Sequence, residues 1–171
     1  PGFDDDLRGK YTMGVGEIKN IADAKEQFDA YDTGINYADL YLSKVIEDLK
    51  KMNLWDDTAI IISADHGENQ GELNVWGDHQ TADHITNRVP LIIRWPGITD
   101  SNKGNTVENK FYNLDLTSTI SQIVSSTQPD RWDGINFSDN LKDNYSKNGR
   151  DYLVISHGAW CCQRSVRWDN W

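Results

Sequence analysis

An α/β layered sheet with flanking helices, incomplete in this chain, is the fold class that the sequence predicts, and three observations carry it. One long stretch has apolar residues three or four apart, as one stripe of an amphipathic helix requires. Two short runs rich in β-branched residues lack polar alternation, as buried parallel strands do. Helix-like and strand-like segments alternate along the chain without internal repeats, which is the order of a layered α/β sheet.

The elements follow in chain order. Pro1 to Gly16 mixes Gly, Asp and Tyr without period and reads as loop; a helical reading begins at Ile18. Between Tyr31 and Met52, the residues Ile35, Ala38, Leu42, Val45, Leu49 and Met52 form the helical stripe, with Lys44, Glu47, Asp48, Lys50 and Lys51 outside. Thr58 to Ser63 is the first buried strand. A polar stretch from Asp65 to Arg88 leads into Val89 to Trp95, the second, whose Pro90 sits near its start where a missing donor is tolerated. Asp115 or Thr117 can cap a helix carrying Leu116, Ile120, Ile123 and Val124. Trp132 to Lys147 reads as polar surface, and Tyr152–Ser156 and Gln163–Trp168 as closing strands. Residues 1–17 are thus expected as loop, 18–128 as the sheet and helix part, and 129–171 as C-terminal strands.

Composition narrows the function. The 171 residues are 37% hydrophobic, enough for a core, and 17 basic against 27 acidic residues give a net charge of −10. That charge repels phosphate backbones and anionic bilayers, so neither a nucleic-acid nor a membrane partner is expected. The longest apolar runs fall far short of the roughly 20 residues that span a bilayer. Two adjacent cysteines, Cys161 and Cys162, supply neither a disulfide framework nor a Cys/His zinc spacing, and read as packed or free thiols. The chain opens at Pro1 without a methionine and stops within what reads as an alternating strand, so a piece of a longer protein is expected, and no cellular location is assigned. Asn136-Phe-Ser138 and Asn144-Tyr-Ser146 fit the glycosylation tripeptide, which is too common to locate the protein.

Chemistry concentrates after the first strand, at Asp65-His66-Gly67-Glu68, because ligands in open α/β sheets bind beyond the carboxyl ends of strands. Asp65 and His66 offer a hard oxygen and a borderline nitrogen side by side, a pair suited to a divalent cation. Glu68 and Glu72 read as solvated. Trp76 can wall a ring-shaped ligand. Asp32 and Asp39 read as capping or orienting groups.

The succession Tyr31-Asp32-x-x-Ile35-x-Tyr37-x-Asp39, a long helix, Leu54 to Thr58, Asp65-His66-Gly67-Glu68 and Arg88-Val89-Pro90-Leu91-Ile92-Ile93-Arg94-Trp95-Pro96-Gly97 closely resembles the sulfatase family of the alkaline-phosphatase superfamily. Asn113 to Thr119 and Trp132-Asp133-Gly134 resemble that family's next helix start and turn. The resemblance implies an alkaline-phosphatase-like fold, and metal-assisted hydrolysis of sulfate esters on a small molecule or carbohydrate. It implies Asp65 and His66 as ligands of a calcium-like ion, with manganese or magnesium as alternatives. It also implies a formylglycine nucleophile from an N-terminal C/S-x-P-x-R. This chain lacks that motif: Cys161 is followed by Gln163 and Ser165, and Cys162 by Arg164 and Val166. The substrate-contacting Lys of many members is also missing, because no Lys or Arg lies between Gly67 and Asn87. In its place stand His79 and His84 as candidate catalytic groups, with Gln80 and Trp76 as candidate substrate contacts. The isolated chain is expected to be inactive, and self-association into a homo-oligomer is allowed. Two alternatives remain open: a phosphoesterase or phosphonate hydrolase of the same superfamily, and a non-catalytic scaffold that keeps the fold.

Overall fold

The computed structural model describes residues 18–143, 148–158 and 162–169. The expected loop at 1–17, Cys161 and the second glycosylation tripeptide lie outside or partly outside them. The chain divides into two compact units, one built on residues up to Thr58, Ser63–Leu91 and His157–Gln163, the other on Ala59–Ile62, Ile92–Ser156 and Arg164 onward.

The first unit is built on α1, Ile21–Lys51, which starts ten residues before the expected stripe. Asn20 sets that start: its side-chain oxygen accepts from the backbone N–H groups of Ala22 and Asp23, satisfying donors that the first turn leaves free. Lys50 and Lys51 in the last turn complement the helix dipole. The stripe itself is not buried. Ile35, Val45 and Met52 are all exposed, so the periodicity marks a face that the described residues leave uncovered.

The polar stretch after Ser63 is folded rather than loose. Asn69–Gln70 (β2) pairs antiparallel with Trp76–Asp78 (β3), with Asn69 opposite Asp78 and a register shift beyond Asn69. A short helix, α2, runs from His84 to Asn87 with Asp83 as its N-cap. Its interior is largely polar: Asn69, Asp78 and Thr86 are buried, beside Val75 and Ala82. Thr86 Oγ1 donates to the Thr81 carbonyl at 2.7 Å, and Asn69 Nδ2 reaches Thr81 Oγ1 at 3.3 Å. Alternation and helical period are blind to a segment held by side-chain hydrogen bonds, which is why it reads as loop in the sequence.

Both expected central strands form and pair: Ile60–Ser63 (β1) and Leu91–Arg94 (β4) make a two-stranded sheet. They are shorter than expected and are not buried, since β1 is half-exposed and Leu91 and Ile92 are open. The physical reason is coverage: among the described residues no third strand joins this sheet.

In the second unit α3, Asn113–Ser125, packs with α4, Ser138–Lys142. Within the stretch expected as polar surface, residues 132–143 are therefore not merely surface, because Phe137 is 2% exposed and Leu141 and Asn140 are buried with it. Phe111 packs against Phe137 with ring centres 4.3 Å apart and planes tilted by 32°. Gly134 is required by close approach: a Cβ there would collide with Ser118 Oγ and the Leu114 carbonyl of α3. Asp115 acts in the first turn of α3 rather than at its cap, accepting from Tyr112 N at 2.7 Å.

That carboxylate also accepts from Ile135 N at 2.8 Å and from Arg150 Nε and Nη2 at 2.9 and 2.6 Å. Burial pushes its pKa up, but the hydrogen bonds from Arg150, Ile135 and Tyr112 outweigh burial and hold it below the usual carboxylate range. Tyr152–His157 (β5) and Gln163–Trp168 (β6) form a last two-stranded sheet with alternating exposure. The Tyr112 hydroxyl donates to the Val154 carbonyl at 3.0 Å and accepts from the Val154 N–H. Among the described residues no helix is long and apolar enough to cross a membrane.

Candidate functional site

Asp65 and His66 follow β1 directly, two and three residues after Ser63. Gly67 fixes their loop against α2. Its N–H donates to the Thr86 carbonyl at 2.7 Å, and a Cβ would run into the Ile85 carbonyl oxygen. The glycine is therefore needed for close approach, not for an unusual φ.

Asp65 is 90% exposed at its side chain and accepts from His66 N at 3.0 Å. The backbone N–H groups of His66 and of Asp65 itself, then the nearby imidazole, lower its pKa, so it presents a carboxylate at neutral pH. His66 Nδ1 lies 2.8 Å from the Gly67 carbonyl, an arrangement in which Nδ1 carries the proton and Nε2 keeps its lone pair. His66 Nε2 stands 3.7 Å from Asp65 Oδ2. Two ligands of one cation stand about 3 Å apart, so the pair fits a shared divalent ion after a small side-chain movement.

The antiparallel pairing of β2 and β3 brings a third and fourth group in. With Asn69 opposite Asp78, the residues just outside that pair, Glu68 and His79, meet: His79 Nδ1 is 3.0 Å from Glu68 Oε2. The imidazoles of His66 and His79 stack with centroids 3.7 Å apart and planes at 21°. Buried Asp78 shapes the turn that presents His79, accepting from the N–H groups of His79 and Gln80 at 2.7 and 2.9 Å. Asp83 ties the same loop to α2 through Ile85 N and Thr86 N. Burial raises the Asp83 pKa, but bonds from Thr81, Thr86, Asn69 and Ile85 more than offset it, and the net shift is downward.

His66, Glu68 and His79 thus offer three ligand atoms within 4.8 Å of one another. Glu68, read as solvated from the sequence, belongs to this group; the signal that finds it is the β2–β3 register, not any local motif. His84 does not belong. It is exposed at the start of α2 and lies outside the cluster. Gln80 is half-buried, and its Oε1 has no hydrogen-bond partner among the described residues. Trp76 is engaged in packing: it meets Phe28 of α1 edge-on at 5.8 Å, and its ring occupies the space a side chain at Gly71 would need. Glu72 is tied to the backbone of Gln70 at 2.7 Å. Cys162 is a free, exposed thiol.

A cavity of about 780 Å³ in the second unit is lined by Lys110, Arg150, Tyr152 and Trp168 among others, none of them a residue singled out from the sequence. Its charges are mixed and Arg150 is committed to Asp115, so chemistry rather than concavity locates the candidate site.

A curated relative, the ulvan-active sulfatase of Formosa agariphila, is 26% identical over 136 residues, which is 79% of this chain and 26% of the relative. The chain therefore spans about a quarter of that protein's length. A phosphonate monoester hydrolase from Silicibacter pomeroyi superposes with a TM-score of 0.62 at 31% identity, over 70% of this chain and 23% of that one. A protein solved in complex with its substrate D-glucosamine-2-N,6-O-disulfate gives a TM-score of 0.70 at 21% identity, over 78% of this chain and 28% of that one. The alkaline-phosphatase-like fold expected from the sequence is the one these neighbours share in part. The sulfatase family model matches residues 2–126, nearly three quarters of the chain and the whole Asp65–His79 cluster, and the chain belongs to the sulfatase family.

Proposed function

We propose that this chain is the C-terminal part of a sulfatase catalytic domain that hydrolyses sulfate esters of a carbohydrate, with its formylglycine nucleophile supplied from a segment N-terminal to it. The observation that carries the reading is the convergence, just after β1, of a cation-suited Asp65–His66 pair with a second histidine held in ring contact by Glu68. The carbohydrate class rests on the ulvan-active relative and on the neighbour bound to a glucosamine disulfate.

In this reading Asp65 and His66 hold part of the coordination of a divalent ion of calcium type. When bound, that ion supplies positive charge against the non-bridging sulfate oxygens. Negative charge builds on the bridging oxygen as the ester bond breaks, and His79, with Nδ1 engaged by Glu68, turns Nε2 toward the leaving alcohol to donate a proton. Gln80 contacts the bound sugar. Trp76 takes a supporting part as a wall fixed by Phe28. By itself the chain does not turn over.

The second reading, phosphonate monoester hydrolysis, is favoured by the likeness to the phosphonate monoester hydrolase. The two are separated by assaying the full-length protein on a sulfate ester and a phosphonate monoester of the same phenol. A kcat/KM at least about tenfold higher for the sulfate supports the first reading; the reverse order overturns it.

A further inference from the structure

We propose that His66, Glu68 and His79 form a binding site for a zinc-type transition-metal ion, chemically distinct from the calcium-type pair with which it shares His66. The donor set decides this. Two imidazole nitrogens and one carboxylate suit zinc, whereas calcium takes six or more oxygens, of which this cluster offers few.

The tautomers point the same way. His66 Nδ1 is 2.8 Å from the Gly67 carbonyl, which leaves Nε2 of the neutral ring as its ligand atom, while His79 Nδ1 and Glu68 Oε2, 3.0 Å apart, already stand at about the separation of two ligands sharing one ion. An imidazole whose other nitrogen is held by a carboxylate or carbonyl is the usual form of a zinc-bound histidine, because the outer partner fixes the ring and raises its basicity. Glu68 Oε2 is therefore a ligand beside His79 Nδ1 and not that ring's outer partner.

The ligand atoms lie within 4.8 Å of one another, while ligands sharing a zinc stand about 3.3 Å apart. Closing that difference takes side-chain rotation alone. The rings stack, so His66 must swing its Nε2 edge toward His79 Nδ1, and both side chains have room to move, being 41% and 42% exposed. Glu68 is 23% exposed and anchored beside β2, so the carboxylate is the fixed wall and the imidazoles the moving parts. Asp65 Oδ2, 3.7 Å from His66 Nε2, is within reach as a fourth ligand. A zinc ion held here takes His66 away from the calcium-type ion and His79 away from the substrate. The inference concerns the ion alone and stands whether the substrate is a sulfate or a phosphonate ester.

The test uses this 171-residue chain, with zinc chloride and calcium chloride titrated separately by calorimetry at neutral pH. The expected result is a one-to-one zinc isotherm with a dissociation constant in the micromolar range and calcium binding no tighter than millimolar. His79→Ala and Glu68→Gln should each weaken zinc by about tenfold or more, and His84→Ala, which changes a histidine outside the cluster, should leave it unchanged. Circular dichroism confirms that each variant keeps its fold, and cobalt(II) titrated in place of zinc should give a visible spectrum that is lost in His79→Ala. Zinc affinity equal in wild type, His79→Ala and Glu68→Gln overturns the proposal, as does calcium displacing zinc at equal concentration.

Discussion

Replacing Asp115 by Asn tests the interior of the second unit most sharply. The carboxylate is 0% exposed and receives four hydrogen bonds, two of them from Arg150, whose side chain is 24% exposed. Breaking a buried ion pair from one side costs about 3–5 kcal/mol, and partial exposure of Arg150 places this one at the low end. Asn keeps one acceptor for the backbone donors but leaves the guanidinium without its counter-charge. The expected loss is about 3 kcal/mol, a large share of the 5–15 kcal/mol that typically holds a domain together. Urea unfolding followed by tryptophan fluorescence and circular dichroism measures it.

The sign with pH follows from the lowered pKa of Asp115. The pair's contribution is fully present above the unfolded value near 3.8 and is lost as pH falls through the folded value beneath it. Wild type should therefore lose stability below about pH 4 more steeply than Asp115→Asn. A cost under about 1 kcal/mol, or parallel acid profiles, would refute the view that this carboxylate is a charged, satisfied anchor.

Two further outcomes concern the site. In the full-length protein His79→Ala should lower kcat on an alkyl sulfate by about 10²-fold and much less on the sulfate of an acidic phenol, whose departure needs little protonation; equal losses in steady-state kinetics would make His79 a sulfate-binding group instead. Gly67→Ala should destabilise this chain by about 2 kcal/mol, since the new methyl meets the Ile85 carbonyl, and an unchanged urea midpoint would show that the loop and α2 separate freely.

The sequence makes legible what depends on chain-local pattern. The strands around Ile60–Ser63 and Leu91–Arg94, the long helix and the closing pair Tyr152–His157 and Gln163–Trp168 all form near their expected positions. Burial is not legible in the same way, because an apolar run records the environment it was selected for, and here Ile35, Val45 and Ile92 remain open. The meeting of Glu68 with His79 was hidden for another reason: eleven residues separate them, and only the short β2–β3 ladder brings them together. Phe137 is not legible as a core residue because its neighbours Asn136, Ser138 and Asn140 are polar. In the structure Asn140 satisfies itself on the backbone of Asn148 and on Asn109 instead of facing water.

The Tyr112 hydroxyl has a consequence for aggregation. The N–H and C=O of one strand residue point to the same edge, so a phenol bonded to both groups of Val154 occupies the place that an incoming strand would take. It acts as a plug on the rim of β5. Its ring lies 4.7 Å from the Arg150 guanidinium, and its own backbone N–H is held by Asp115, so the plug is seated by the same ion pair that senses acid. Protonating Asp115 therefore does more than weaken the fold: it loosens the stopper that keeps a bare strand edge from templating onto a second molecule.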